Sequence, residues 1–327
     1  MGNRSSHSTQ HKQEIMVTVN DIEMMYDRQL PSWQLVGDNY AALEKMMVRE
    51  MVVNGCNMVI QYNPCRSTSV TANINKSHER PCFLCDHNLP TEQLRISLWD
   101  KYQVLVNPYP LFKHHYTIAS TIHTPQRIAG RVNDMLQMSK CFAPYTLFYN
   151  GPYSGASAPM HMHFQASEEG YMPIEKQWKT NPRREVMRCN NTHLSYIEGL
   201  LRPIFVIEGA DIEEIERLFN TLYKVLFQLP HNKDCEEPMM NLMLRWEENH
   251  YIMLIFPRSK HRPDCYYAND ATRLLISPGS VEMGGIFVTI DNHDFATLTP
   301  ENVIQIYREV TPSQEDIYHI INTLSAL

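Results

Sequence analysis

The chain has 327 residues, 43% of them hydrophobic and 20% charged, with a formal net charge of −7. That length can bury one large core, two smaller ones, or one core built from two related halves, and the composition is ordinary for a soluble globular protein. The acidic balance leaves no electrostatic footprint for nucleic acid, and no window approaches the roughly 20 apolar residues that a bilayer span needs.

Residues 1–15 are polar and without periodicity, and are predicted as a disordered tail. MGNRSS fits the myristoylation pattern through Gly2 and Ser6, with an unmodified tail the plainer reading. From Ile22 to Val53 apolar residues recur at helical spacing, and GDNYAALEKMMVREMVV reads as an amphipathic helix. NMVIQYNP then alternates like a strand, and 64–95 is a turn-rich knuckle carrying RPCFLC. YQVLVNP and HYTIAS form a predicted hairpin, and 125–142 a helix opened by Pro125. TLFYN and HMHFQAS are strands flanking a Gly/Ser loop. Residues 168–203 are polar and irregular, read as an insertion or flap. Beyond them come IFVIEG, a strongly amphipathic helix over 210–230, the strands MNLMLRWE and HYIMLIFPR, GSVEMGGIFVT, and a last helix over 312–327. The second succession repeats the first without a second HxHxQ.

Eight cysteines, at 56, 65, 82, 85, 141, 189, 235 and 265, are scattered in a chain too long to need disulfide staples. They read as the reduced thiols of a cytoplasmic protein, with the CxxC pair Cys82 and Cys85 set aside for metal.

In a strand, His161, His163 and Gln165 would project to one face, with Met162 and Phe164 on the other. Half-buried histidines that are simply hydrogen-bonded are the bland alternative. Cys82 and Cys85 supply half of a tetrahedral shell, which His161 and His123 could complete. Ser154, Gly155, Ala156 and Ser157 offer small side chains, hydroxyls and backbone N–H groups that could cradle phosphate oxygens, or form a plain connection.

RPCFLC, STIHTPQRI and YNGPYSGASAPMHMHFQ, in that order, resemble the histidine-triad superfamily branch that holds galactose-1-phosphate uridylyltransferase, diadenosine tetraphosphate phosphorylase and GDP-L-galactose phosphorylase. A bacterial family with QxNPxR and RPCFLC motifs is similar too. The resemblance covers about residues 58–167. It implies an α+β, histidine-triad-like fold of two related halves, with mixed or antiparallel sheets flanked by helices. The catalytic half with its knuckle would span 16–167, and a degenerate second half 204–327. It also implies transfer of a nucleoside monophosphate through a covalent nucleotidyl-histidine. His163 would be the nucleophile and Gln165 a partner of the phosphoryl oxygens, while Cys82, Cys85, His123 and His161 would hold a structural zinc ion. Asn150 aligns with a phosphate-contacting asparagine of the uridylyltransferase.

Neutral imidazole suits the nucleophilic role near pH 7, and glutamine where the superfamily's hydrolases carry histidine favours transfer or phosphorolysis, since an amide is no acid or base. The segment carrying Gln61, Asn63 and Arg66 resembles one lying near the nucleotide in GDP-L-galactose phosphorylase. Arg66 could clamp a phosphate or be a solvated strand-end arginine. Asn107, Phe112 and His115 align with base and ribose pocket positions, or are hairpin residues. Arg258, Lys260, His261 and Arg262 form a basic cluster suited to a polyphosphate, or a solvated turn. Gly279, Gly284 and Gly285 allow close backbone approach or simply turn the chain.

The sequence therefore points to a nucleotidyltransferase or phosphorylase acting on an NDP-sugar or dinucleoside polyphosphate, with phosphate or a sugar phosphate as acceptor. Neither nucleic acid nor a membrane is an expected partner, and dimers in the superfamily leave a homodimer open. A hydrolase of the same fold, a non-catalytic nucleotide-binding zinc protein and a purely structural zinc protein are the rivals.

Overall fold

The computed structural model describes residues 17–71 and 81–327; the N-terminal tail and its myristoylation pattern lie outside these. In chain order the elements are α1 (Val19–Ser32), α2 (Gln34–Leu43), β1 (Met47–Val53), β2 (Cys56–Tyr62), α3 (Ser67–Val70), β3 (Arg95–Leu98), β4 (Tyr102–Val106), β5 (His115–Ser120), α4 (Val132–Cys141), β6 (Tyr145–Asn150) and β7 (His163–Glu168). The second part continues with α5 (Ile174–Thr180), β8 (Arg183–Cys189), β9 (Thr192–Ile197), β10 (Ile204–Gly209), α6 (Ile212–Phe227), β11 (Met240–Glu247), β12 (His250–Pro257), α7 (Ser280–Met283), β13 (Ile286–Thr289), α8 (Asn292–Thr297), α9 (Pro300–Val310) and α10 (Gln314–Ser325).

A ten-stranded sheet runs in the order β3-β4-β5-β7-β6-β11-β12-β10-β9-β8. The order is palindromic in kind. β3, β4, β5, α4, β6 and β7 are answered by β8, β9, β10, α6, β11 and β12, and the two sets meet at the antiparallel β6–β11 seam. The architecture is α+β, two related halves on one continuous sheet. Residues 168–203, expected as an irregular flap, instead supply α5 and the β8–β9 hairpin, which ends the sheet as β3–β4 does at the other edge. No helix among the described residues is long and apolar enough to cross a membrane.

One apolar layer packs this sheet against α1, α2, α4, α6 and α10, through residues such as Tyr116, Phe164, Leu218 and Ile320. The other lies between the sheet and a smaller one, ordered β1-β2-β13, through Met58, Phe148, Met243 and Phe287. β13, from the second half, pairs in parallel with β2 of the first, so the halves share both sheets. Helix α6 forms because Asp211 caps Glu214 N–H and one stripe of apolar residues, Ile215, Leu218, Phe219, Leu222 and Val225, is buried.

Two expected helix boundaries move. MVREMVV is strand β1, because Asn54 and Gly55 both take positive φ (47° and 80°) in a tight turn that folds the valine-rich run back onto β2. The helix after Pro125 starts at Val132. Residues 125–131 stay extended or turned because Gln126 is spent on the neighbouring strand ends rather than in a helical turn.

Candidate active site

Two histidines two residues apart carry the two parts of the site. His161 lies just before β7, and Met162 and Phe164, on either side of His163, are both buried in the helix-side core, as alternation predicts. The Nε2–H of His161 donates to the carbonyl of Ser120 at 2.7 Å, which leaves Nδ1 bare toward the knuckle. There Cys82 Sγ lies 3.3 Å from it and Cys85 Sγ 3.6 Å, while His123 Nδ1 lies 3.2 Å from Cys85 Sγ. The four ligand atoms fall within 4.8 Å of one another. Burial raises the Cys82 thiol, but the contact with His161 and a hydrogen bond from the Leu84 backbone outweigh it and hold it at about 6. Two thiols, one inclined to ionise, and two imidazole Nδ1 atoms are a donor set that could hold one tetrahedral ion, and the Ser120 carbonyl fixes the tautomer the ion would need.

His163 opens β7 on the cleft side. Its Nδ1–H donates to the His161 carbonyl at 2.8 Å, so Nε2 carries the lone pair. Burial brings its pKa down to about 4 and the ring is neutral at pH 7. Gln126 clamps the backbone here: its Oε1 accepts from His163 N–H at 2.8 Å, and its Nε2 donates to the carbonyls of His163 and Asn150 at 2.9 Å each.

Two amides are oriented from behind. His115 Nδ1 accepts from Leu111 N–H at 3.2 Å, so its Nε2–H donates to Gln165 Oε1 at 2.8 Å. Burial, then the charge of Arg66, keeps His115 neutral at about 3. Asn150 Oδ1 accepts from Asn241 Nδ2, Ser280 N–H and Ser280 Oγ–H at 2.8, 2.7 and 2.8 Å. With both acceptor oxygens occupied, Gln165 and Asn150 turn N–H donors toward the cleft.

That cleft, about 430 Å³, is lined by apolar side chains such as Trp33, Leu35, Phe83, Leu84 and Leu89 and by His163, Gln165, Asn150, Ser157 and Glu282. A neutral lone pair set among amide donors at the edge of an apolar trough can attack an electrophile bearing anionic oxygens on an apolar-ended ligand. Gly155 has φ +95°, and a Cβ there would meet Gly279 Cα at 2.6 Å, so the two halves touch through paired glycines beside the cleft.

Of the loop Ser154–Ser157, Gly155 and Ser157 line the cleft, while Ser154 and Ala156 are buried outside its lining. Asn107 and Arg66 line it, and Asn63 does not. The reason lies in the loop before β5: Gln61, Asn63 and Arg66 donate side-chain N–H groups to the carbonyls of Leu111, Pro110 and Tyr109 at 3.0, 3.0 and 2.7 Å. Arg258, Lys260 and His261 are absent from the cleft wall. Arg258 is fully buried with its N–H groups on carbonyl oxygens, and Lys260 is paired with Asp264 and Glu309 on the surface. A basic cluster in sequence thus separates into an inward tie and an outward ion pair.

Gln126, Asn241 and Glu282 went unmarked in the sequence. Gln126 and Asn241 are single amides whose roles depend on chain segments far away in sequence. Glu282 lies within GSVEMGGIFVT, where the glycines are the only local signal. Its carboxylate accepts from Gly279 N–H at 2.8 Å, and burial pushes it up to about 7 despite the nearby charge of Arg66.

Residues 25–168 match the model of a family described as a domain of unknown function, DUF4922. No curated protein matches the sequence. In structure the chain is similar to yeast Ap4A phosphorylase Apa2 in complex with AMP, with a TM-score of 0.56 and 17% identity over 86% of this chain and 96% of that one. A DUF4931 family protein from Bacillus cereus (TM-score 0.40, 16% identity, 55% of this chain and 93% of that one) and a GalT-like protein from Arabidopsis thaliana (0.37, 14%, 81% and 100%) are also similar. The fold of the chain is therefore similar to that of yeast Ap4A phosphorylase Apa2.

Proposed function

We propose that the chain is a nucleotidyltransferase that moves a nucleoside monophosphate from an NDP-sugar or dinucleoside polyphosphate, through His163, to phosphate or a sugar phosphate. The observation that carries this reading is the pairing of a neutral His163, its Nε2 lone pair bare in the cleft, with the donor amide of Gln165.

In the first step Nε2 forms a bond to the α-phosphorus as the bond from phosphorus to the bridging oxygen breaks. The leaving phosphate takes that electron pair. The adduct ring keeps its Nδ1–H on the His161 carbonyl, which stabilises the positive charge the ring acquires. An oxygen of the acceptor phosphate then attacks phosphorus, and the P–N bond returns its electrons to Nε2. Gln165 and Asn150 donate to the oxygens where charge accumulates. Neither amide can take a proton from water, which favours an already anionic acceptor. The trough from Trp33 to Leu89 suits the base, and Phe83 and Leu84, between the two cysteines, form part of it. Zinc, held by Cys82, Cys85, His123 and His161, would tie the knuckle to the strand of the nucleophile, its shell filled by protein. Glu282, whose carboxylate can accept from hydroxyls in the same cleft, favours a sugar phosphate on the acceptor or leaving side.

Product analysis with each candidate donor, with and without phosphate or a sugar 1-phosphate, tests the reading. Transfer predicts that the nucleotidyl group is recovered on the acceptor and that turnover stops without one. Sustained release of free nucleoside monophosphate without acceptor would make it a hydrolase.

A further inference from the structure

Resting on the phosphoryl site proposed above, we infer that Arg258 is a positioning residue that acts through Asn241 on Asn150, aiming that amide at the cleft and stationing a buried positive charge behind it.

The guanidinium is fully buried, and its five N–H groups meet five oxygens, none of them a carboxylate. Nη1 donates to Asn241 Oδ1 at 2.7 Å and to the Pro278 carbonyl at 2.9 Å. Nη2 donates to the carbonyls of Lys260 and His261, and Nε to that of Val310, each at 3.1 Å. Carbonyl oxygens satisfy the donors but leave the unit charge in place. Taking such a charge out of water is costly, and a structural clamp alone could be built from neutral groups. The charge that most offsets this cost is that of Glu282, which lines the cleft itself.

The direction of the hydrogen bonds shows where the charge is felt. Because Arg258 occupies Asn241 Oδ1, Asn241 must present Nδ2, and this donates to Asn150 Oδ1 at 2.8 Å and to the Ser154 carbonyl at 2.6 Å. Asn150, with Oδ1 filled, must present Nδ2 to the cleft. Arg258, Asn241 and Asn150 therefore form a line of donors all pointing one way, each polarising the next, with the cation at its head. The same nodes hold the Ser154 turn against the Pro278 turn of the other half. In a region of low dielectric this field favours an anionic phosphoryl group over a neutral ligand of the same shape.

The test compares binding of AMP, GMP, CMP and UMP with that of their nucleosides, by titration calorimetry, to wild type, Arg258→Gln, Arg258→Lys and Asn241→Asp. In wild type the monophosphate of at least one base binds more tightly than its nucleoside. Arg258→Gln is expected to keep nucleoside affinity within about twofold and to lose roughly tenfold of the monophosphate preference, while Arg258→Lys, which keeps the charge, retains most of it. Asn241→Asp supplies an ion-pair partner for Arg258, so it reads the same loss if Arg258→Gln does not fold. Variants that keep the preference, or lose both ligands in parallel, would overturn the role of Arg258 alone. A wild type with no preference would remove the phosphoryl site itself, and this inference with it.

Discussion

Gln165 Oε1 accepts a hydrogen bond from His115 Nε2 at 2.8 Å, and this contact ends a relay that begins in the other sheet. Gln61 donates to the Leu111 carbonyl, Leu111 N–H donates to His115 Nδ1, and His115 then fixes which face of the Gln165 amide meets the cleft. His115→Leu should lower kcat for nucleotidyl transfer by about 100-fold, the scale set by losing one oriented donor to a charged transition state, with a smaller change in KM. It should also cost roughly 1–3 kcal/mol of stability, because Leu111 N–H is left buried without its partner. Steady-state kinetics beside urea denaturation separates the two effects, and an unchanged kcat would count against the relay.

Gln126 makes three buried hydrogen bonds with the ends of β6 and β7, two of them to His163 itself. Gln126→Leu strands one N–H and two carbonyls, and is expected to destabilise the fold by about 2 kcal/mol or more. Urea denaturation measures it. A loss below about 0.5 kcal/mol would mean that the strand ends find other partners.

The Cys82, Cys85, His123 and His161 cluster should carry one equivalent of zinc by elemental analysis, and Cys82→Ser should bind less than a tenth of that. Chelation should lower the melting temperature, since the ion binds only the folded knuckle. Refilling with cadmium should restore both stability and a transfer rate within a few-fold. A rate that changes by orders of magnitude with the metal would give the ion a chemical role.

Glu282 has a folded-state pKa of about 7 against an ordinary 4.5, raised by burial. The folded protein therefore holds the proton more tightly than the unfolded chain. The resulting stabilisation is complete below about pH 4.5 and is lost as pH rises through about 7, a change of up to about 3 kcal/mol. Glu282→Gln, neutral throughout, should be more stable relative to wild type at pH 8 than at pH 5. Chemical denaturation at the two pH values reads the difference, and equal values would mean that the carboxylate is better solvated than its burial implies.

Of the candidate site, the part legible in sequence is the part whose spacing is local. Cys82 and Cys85 close a knuckle within four residues, and His163 and Gln165 share a strand face wherever that strand packs. Tertiary pairing was not legible. MMVREMVV has helical periodicity as well as strand composition, and only the Asn54–Gly55 turn and the partner strand β2 decide between them. Nor could the chain order reveal that Arg258 would face inward, since its five oxygen partners come from residues 241, 260, 261, 278 and 310. The repeat of strand and helix was visible, but its consequence, one sheet running through both halves, needed the β6–β11 seam.

The central claim is that Nε2 of His163 bonds to phosphorus, and intact-mass analysis tests it most directly. Wild type and His163→Ala would each be incubated with a panel of NDP-sugars and dinucleoside polyphosphates and weighed without acid treatment. The account predicts an acid-labile gain of one nucleoside monophosphate in wild type, absent from the variant and discharged by phosphate or a sugar phosphate. Nucleotidyl transfer proceeding with no such adduct, or an adduct that survives His163→Ala, would contradict it.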